Sequence, residues 1–158
     1  MKRIVITMVL LLSLLCACAP TPSGDEPAVL SLRYRDVDLT IGMAADAVIA
    51  QLGDDFTMTE AESCAGQGVD RMYTNPSVRL YVFAPAGGEA VISSVSYTDD
   101  GVQTALGLRL GCHSADVIAA MGQADEISDA KLVYRSGGSV LTFGLRDDLV
   151  VSIVLAGE

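Results

Sequence analysis

Cys112, His113 and Ser114 are consecutive, so a soft metal ligand, a base and a nucleophile fall side by side. A hydrolase triad needs a nucleophile, a base and an orienting group that converge in space. Neighbours at the start of a helix point in different directions, and the positive end of the helix dipole lowers the basicity of an imidazole there. His113 is the single histidine of the chain, and a structural or solvent-exposed role is expected for it. A zinc site takes three or four ligands. One histidine with the thiols of Cys64 and Cys112 falls short unless carboxylates complete the set, so no metal is expected. The pairs Asp54-Asp55, Asp99-Asp100 and Asp147-Asp148 lack the alternate oxygen spacing of a calcium loop. They sit where turns are expected, a common place for Asp. There is no phosphate-cradling glycine loop, no dinucleotide fingerprint, no Cys-x-x-Cys and no tryptophan. The residues point to no catalytic group and no cofactor, and an enzyme is not expected.

A stronger chemical signal lies near residue 1. Lys2 and Arg3 form a short basic segment, and Ile4 to Leu15 is an apolar run of 12 residues. A helix needs about 20 residues to span a bilayer, so this run suits the apolar part of a signal peptide, residues 1–17. Leu15-Cys16-Ala17-Cys18 follows. It resembles the lipobox of bacterial lipoproteins, with a small residue before the modified cysteine. That resemblance implies cleavage after Ala17, acylation of Cys18, and a membrane anchor in the bacterial cell envelope facing outside the cytoplasm. Two acyl chains hold a protein stably where one is marginal. Acylation at Cys16 would put Leu15 where a small side chain is needed. Ordinary secretion and an uncleaved anchor are the alternatives. Residues 19–27 carry three prolines among small polar residues, so residues 18–28 read as a lipidated N-terminus and extended tether.

The elements that would position any site follow from charge and periodicity. The chain has 158 residues, 10 basic and 20 acidic. Such an acidic surface repels phosphate backbones, so nucleic acid is not an expected partner. Ile41 to Gly53 aligns without a gap on Leu110 to Gly122, with five of 13 positions identical. The same order follows each copy. An apolar-Tyr pair (Met72-Tyr73, Val133-Tyr134) precedes a turn, Thr74-Asn75-Pro76 in the first copy and Ser136-Gly137-Gly138 in the second. Alternating strands come next, Val78 to Phe83 and Val140 to Leu145, then last strands Val91 to Tyr97 and Leu149 to Leu155. The expected fold is α+β: a tandem repeat of a short helix followed by a three-strand antiparallel meander. The helices pack on one face of the sheet and leave the other open. The units are 29–105 and 106–158. Leu30, Leu32 and Tyr34 alternate with Ser31, Arg33 and Arg35, which suggests a leading edge strand in the first unit.

A helix preceded by Ile/Leu-Gly and closed by Gly, then a meander, in tandem, is similar to the SmpA/OmlA-type outer-membrane-assembly lipoproteins. It is similar also to the β-lactamase-inhibitor-protein fold. Gly42-Met43, Val48 and Leu52-Gly53 carry that likeness. Residues Ser63 to Tyr73 resemble a stretch of clostridial-type bacterial lipoproteins. The family likeness implies a non-catalytic module for protein binding or envelope scaffolding, with inhibition of a secreted or periplasmic hydrolase as the alternative. Another envelope or secreted protein is the expected partner. Tyr73, Arg79, Tyr81 and Tyr134 are the expected binding face, being types enriched at interface hot spots; ordinary exposed sheet residues have the same composition. Cys64 and Cys112 form an even pair in an exported chain, which favours a disulfide. Two unconnected thiols are the alternative.

Overall fold

The computed structural model describes residues 29–64 and 66–158; the signal segment, Cys18 and the tether expected in residues 1–28 lie outside them. A small hairpin of β1 (Leu32–Tyr34) and β2 (Val37–Leu39) comes first, followed by α1 (Ala45–Leu52). Four strands follow: β3 (Thr57–Glu62), β4 (Gly68–Thr74), β5 (Val78–Pro85) and β6 (Val91–Tyr97). The second half has α2 (Ser114–Met121), β7 (Glu126–Ser128), β8 (Lys131–Ser136), β9 (Ser139–Arg146) and β10 (Leu149–Gly157). The fold is α+β, with the eight strands β3 to β10 in one sheet ordered β3-β4-β5-β6-β10-β9-β8-β7. Every pairing is antiparallel. Two meanders therefore meet along a β6–β10 seam, where Tyr97 lies opposite Ile153 and Ser94 opposite Ala156.

Alternation decides the faces. Val78, Leu80 and Val82 of β5, Ile92, Val95 and Tyr97 of β6, and Ile153 and Leu155 of β10 all point to one side and are buried. Leu32 and Leu39 of the hairpin, Val48 and Leu52 of α1 and Val117 of α2 join them in one cluster. Burying each such aliphatic side chain stabilises the fold by about 1.5–3 kcal/mol. Helices of eight residues are too short to persist alone, so this packing holds them.

Both helices are fastened to the sheet by the same bonds. Gly42 N–H donates to the Ile92 carbonyl and Ile92 N–H to the Met43 carbonyl. In the second half Gly111 N–H donates to Val150 and Val150 N–H to Cys112. Gly42 and Gly111 have φ of 83° and 85°, which other residues adopt only under strain. Just beyond each fastening the strand bulges: Ser93 has no partner between Tyr81–Ser94 and Val82–Ile92. Val151 has none between Gly144–Ser152 and Leu145–Val150. A bulge turns the strand locally, and the two bend the sheet at corresponding points.

Two expectations need correction. Four strands, not three, follow each helix, because the segments read as connections contain β3 and β7. Both are edge strands exposed along their whole length, so no apolar alternation marks them. The alternation at Leu32, Arg33 and Tyr34 does mark a strand, but β1 pairs with β2 in a separate two-stranded sheet rather than forming the edge of the large one. The turn at Asn75 is as expected, and its side chain shapes it. Asn75 Oδ1 accepts from Ser77 and Val78 N–H, while Nδ2 donates to the Tyr34 hydroxyl at 2.9 Å.

Candidate functional site: the open sheet face

The face away from the helices can be read across the sheet from the register. One row runs Thr57, Thr74, Arg79, Ser96, Val154, Thr142, Val133 and Glu126. The next runs Thr59, Met72, Tyr81, Ser94, Ala156, Val140 and Arg135. Most of these side chains are small, so few project far from the sheet. Neither helix nor the β1–β2 hairpin packs on it.

The four side chains expected on this face divide two and two. Arg79 and Tyr81 are on it, and Tyr81 is 40% exposed. Tyr73 and Tyr134 are not. Tyr73 lies opposite Leu80, and Tyr134 opposite Leu141, so both point to the helix side. Tyr134 is only 6% exposed, donates its hydroxyl to the Gly122 carbonyl at 3.0 Å, and meets the Phe143 ring edge-on. It closes the end of α2. The apolar-Tyr pair misleads because its apolar member, Met72 or Val133, faces outward. Val133 is nonetheless 2% exposed, as Lys131 and Arg135 lie on either side of it and both reach Glu126 opposite. The Lys131 ammonium beside Glu126 holds that carboxyl below its usual range.

Arg79 stands apart from the other arginines of the sheet. Its Nε is shielded from water and has no hydrogen-bond partner among the described residues; the same is true of Thr74 Oγ1, directly across the β4–β5 ladder. Buried polar atoms are ordinarily paired.

His113, Ser114 and Asp148 do come together, at the start of α2 and the β9–β10 turn. Ser114 Oγ donates to Asp148 Oδ1, and His113 Nδ1 lies 3.4 Å from Asp148 Oδ2. The carboxylate thus receives both side chains, and its pKa is lowered, first by Ser114 and then by His113. A triad needs the imidazole between serine and aspartate. This wiring leaves the imidazole off the serine, so it fixes a turn rather than activating a hydroxyl. Asp147 and Asp148 have φ of 52° and 65°, the pattern of a tight hairpin turn.

The expected Cys64–Cys112 bond is absent: both thiols are free, Cys64 exposed and Cys112 half-buried. The register explains it. Cys64 follows β3, near the β5 end at Ala84, whereas Cys112 is bonded to the first residues of β10. Because β10 runs antiparallel to β6, these are opposite ends of the sheet, more than about 20 Å apart. A disulfide needs Cα atoms within about 7 Å.

Two clefts lie at matching places in the halves. One of about 710 Å³ is lined by Asp46, Glu62, Arg71, Ala84 and Glu89. The other, about 600 Å³, is lined by Ser114, Ile118, Ile127, Asp129 and Asp148. Among the described residues no group of three or more His, Cys, Asp or Glu is placed to hold a metal, and no helix is long and apolar enough to cross a membrane. Cys18 lies outside the described residues. Compared with family models, with curated proteins and with solved structures, the chain matches none of them.

Proposed function

We propose that the protein is a lipoprotein of the bacterial cell envelope, anchored through Cys18 and facing outside the cytoplasm, that binds another envelope or secreted protein without catalysing a reaction. The observation that carries the binding half is the uncovered sheet face bearing Tyr81 and Arg79. A sheet of eight strands whose outer side carries rows of mostly small residues offers area for a partner, and tyrosine and arginine are the side chains that anchor such contacts. The anchoring half rests on Lys2-Arg3, the apolar run and Leu15-Cys16-Ala17-Cys18. The matching helix fastenings and matching bulges support a further part of the reading, that the chain is a tandem duplication of a unit like that of the SmpA/OmlA-type lipoproteins.

The test has two arms. Blocking the lipoprotein signal peptidase with globomycin accumulates the precursor, and Cys18→Ala releases the protein from membranes; a Cys18→Ala protein that stays membrane-bound with unchanged mass refutes the anchor. Detergent-extracted, lipidated protein co-purifies with a defined partner. Capture of a stoichiometric hydrolase whose activity is suppressed would turn the reading from scaffolding to inhibition. Turnover that disappears with His113→Ala would overturn it.

A further inference from the structure

We propose that the open sheet face docks an acidic stretch of a partner protein, one carboxylate of which pairs with Arg79 and Thr74. The proposal rests on the reading of that face as the docking surface and gives its partner a chemistry.

Charge is the first argument. Eight of the ten Lys and Arg residues and 18 of the 20 Asp and Glu residues fall within 29–158, so the folded part is strongly acidic. The strands present the opposite balance on the open face. Alternation puts Arg79, Lys131, Arg135 and Arg146 there, against Asp70 and Glu126 alone. Glu126 is already engaged by Lys131 and Arg135. Half the cations of the folded part thus lie on one face, with one of its two strand carboxylates neutralised. Complementary potentials of this kind steer encounter and select partners.

Two buried polar atoms on this face lack a partner among the described residues. Arg79 Nε is a donor and Thr74 Oγ1 a donor or acceptor, and the two residues oppose each other in the ladder. Cross-strand neighbours have Cβ atoms about 5 Å apart, a span one carboxylate can bridge. Arg79 has little to give up on turning outward, because its Nε makes no bond to break. Swung from the sheet, its guanidinium offers Nε and Nη to the two carboxylate oxygens, the fork geometry in which arginine binds best. Ser96 flanks it on the other side, and Tyr81 stands in the adjacent row as an aromatic contact. A basic partner would meet a face with four cations against two carboxylates and is disfavoured.

The test uses the full-length protein in detergent and a fluorescein-labelled ten-residue peptide alternating Glu with Ala, followed by anisotropy at low salt. Binding is expected to weaken about tenfold or more in Arg79→Gln, the loss typical of a charge-assisted hydrogen bond. Arg79→Lys, which keeps the charge but not the fork, should lose several-fold, and Arg109→Gln, a cation on the α2-side loop, less than twofold. Equal losses for Arg79→Gln and Arg109→Gln, or tighter binding of a Lys-Ala peptide, overturn the proposal. So does binding to phosphatidylglycerol vesicles that depends on Arg79 more than peptide binding does, which would assign the face to lipid. Unchanged melting temperatures of the variants establish that folding is not being read. In cells, a photo-crosslinking residue at Tyr81 should map to an Asp- or Glu-rich segment of the partner. A crosslink to a neutral or basic segment overturns the acidic chemistry while leaving a protein-binding face standing. No crosslink to protein from Tyr81 removes both.

Discussion

Tyr97→Phe isolates one hydroxyl at the junction of three parts of the fold. Tyr97 is 4% exposed on β6; its hydroxyl donates to the Arg33 carbonyl at 2.6 Å and lies 3.2 Å from the Gln103 carbonyl. The hydroxyl therefore ties the β1–β2 hairpin, and the segment leading to α2, to the seam strand. Phenylalanine keeps the ring contacts and leaves two carbonyls short of a donor, a cost of about 1–3 kcal/mol. For a domain of this size that lowers Tm by roughly 3–10 °C. Alkali supplies a second signature. Burial pushes the Tyr97 phenol well above its usual value, whereas in the unfolded chain it ionises near pH 10. The stability linked to this group is fully present below about pH 10 and is lost as pH rises toward the folded-state pKa. Over that interval the wild type loses up to about 1.4 kcal/mol per pH unit that Tyr97→Phe does not lose. Urea unfolding followed by circular dichroism should show a clear deficit for the variant at neutral pH that narrows above pH 10. A neutral-pH loss under about 0.5 kcal/mol, or a deficit independent of pH, refutes the assignment.

Ser114→Ala should raise the Asp148 pKa toward that of a free carboxylate, since the Ser114 hydroxyl is its largest stabiliser; the carboxyl carbon resonance titrated by NMR reads this directly. In the wild type, stability linked to Asp148 is present above the unfolded carboxylate pKa and fades as pH falls through the lower folded value. Gly68→Ala should loosen the β4–β5 pairing, because its Cβ would come within 2.4 Å of the Ala84 carbonyl oxygen, and limited proteolysis should then cut near β3–β4 first. Asn75→Ala removes the side-chain acceptor of the Ser77 and Val78 N–H groups and the donor to Tyr34, with an expected loss of about 2–3 kcal/mol in urea unfolding. Iodoacetamide should modify Cys64 in the native protein and both Cys64 and Cys112 in unreduced, denatured protein, with Cys112 reacting more slowly in the native state.

The parts of the fold legible in the sequence are those whose burial repeats with a period. Val78-Leu80-Val82 and Leu141-Phe143 announce strands because every second residue enters the core, and the glycine-bounded helices announce themselves twice. Burial does not register in β3, where Thr-Met-Thr-Glu-Ala-Glu is exposed on both faces; its strand geometry comes from the β4 ladder alone. Which face a residue occupies is harder to read still. The side of Tyr73 is not legible because β4 carries no alternation: six of its seven residues, from Gly68 to Thr74, are half-buried and the seventh, Asp70, is exposed. Only its register with Leu80 assigns the side. The Cys64–Cys112 expectation failed for a related reason. Sequence places Cys64 in the connection after the first helix and Cys112 at the entry of the second, but does not show that the halves run in opposite senses across the seam. Arg79 was legible as an exposed type on an alternating strand; its unpaired Nε was not.

The seam also governs how the chain can find this structure. Each meander closes through hairpins whose strands are joined by short turns, such as Gly137-Gly138 and Asp147-Asp148, and hairpins form within microseconds. The β6–β10 ladder is different: Tyr97 and Ile153 are 56 positions apart in the chain. Pairings of that separation dominate contact order, and contact order sets folding speed. Substitutions at the joint, such as Val95→Ala or Leu155→Ala, are thus expected to slow folding, while equivalent ones in the outer hairpins mainly hasten unfolding. The two halves can be nearly alike in architecture and still contribute one slow event between them.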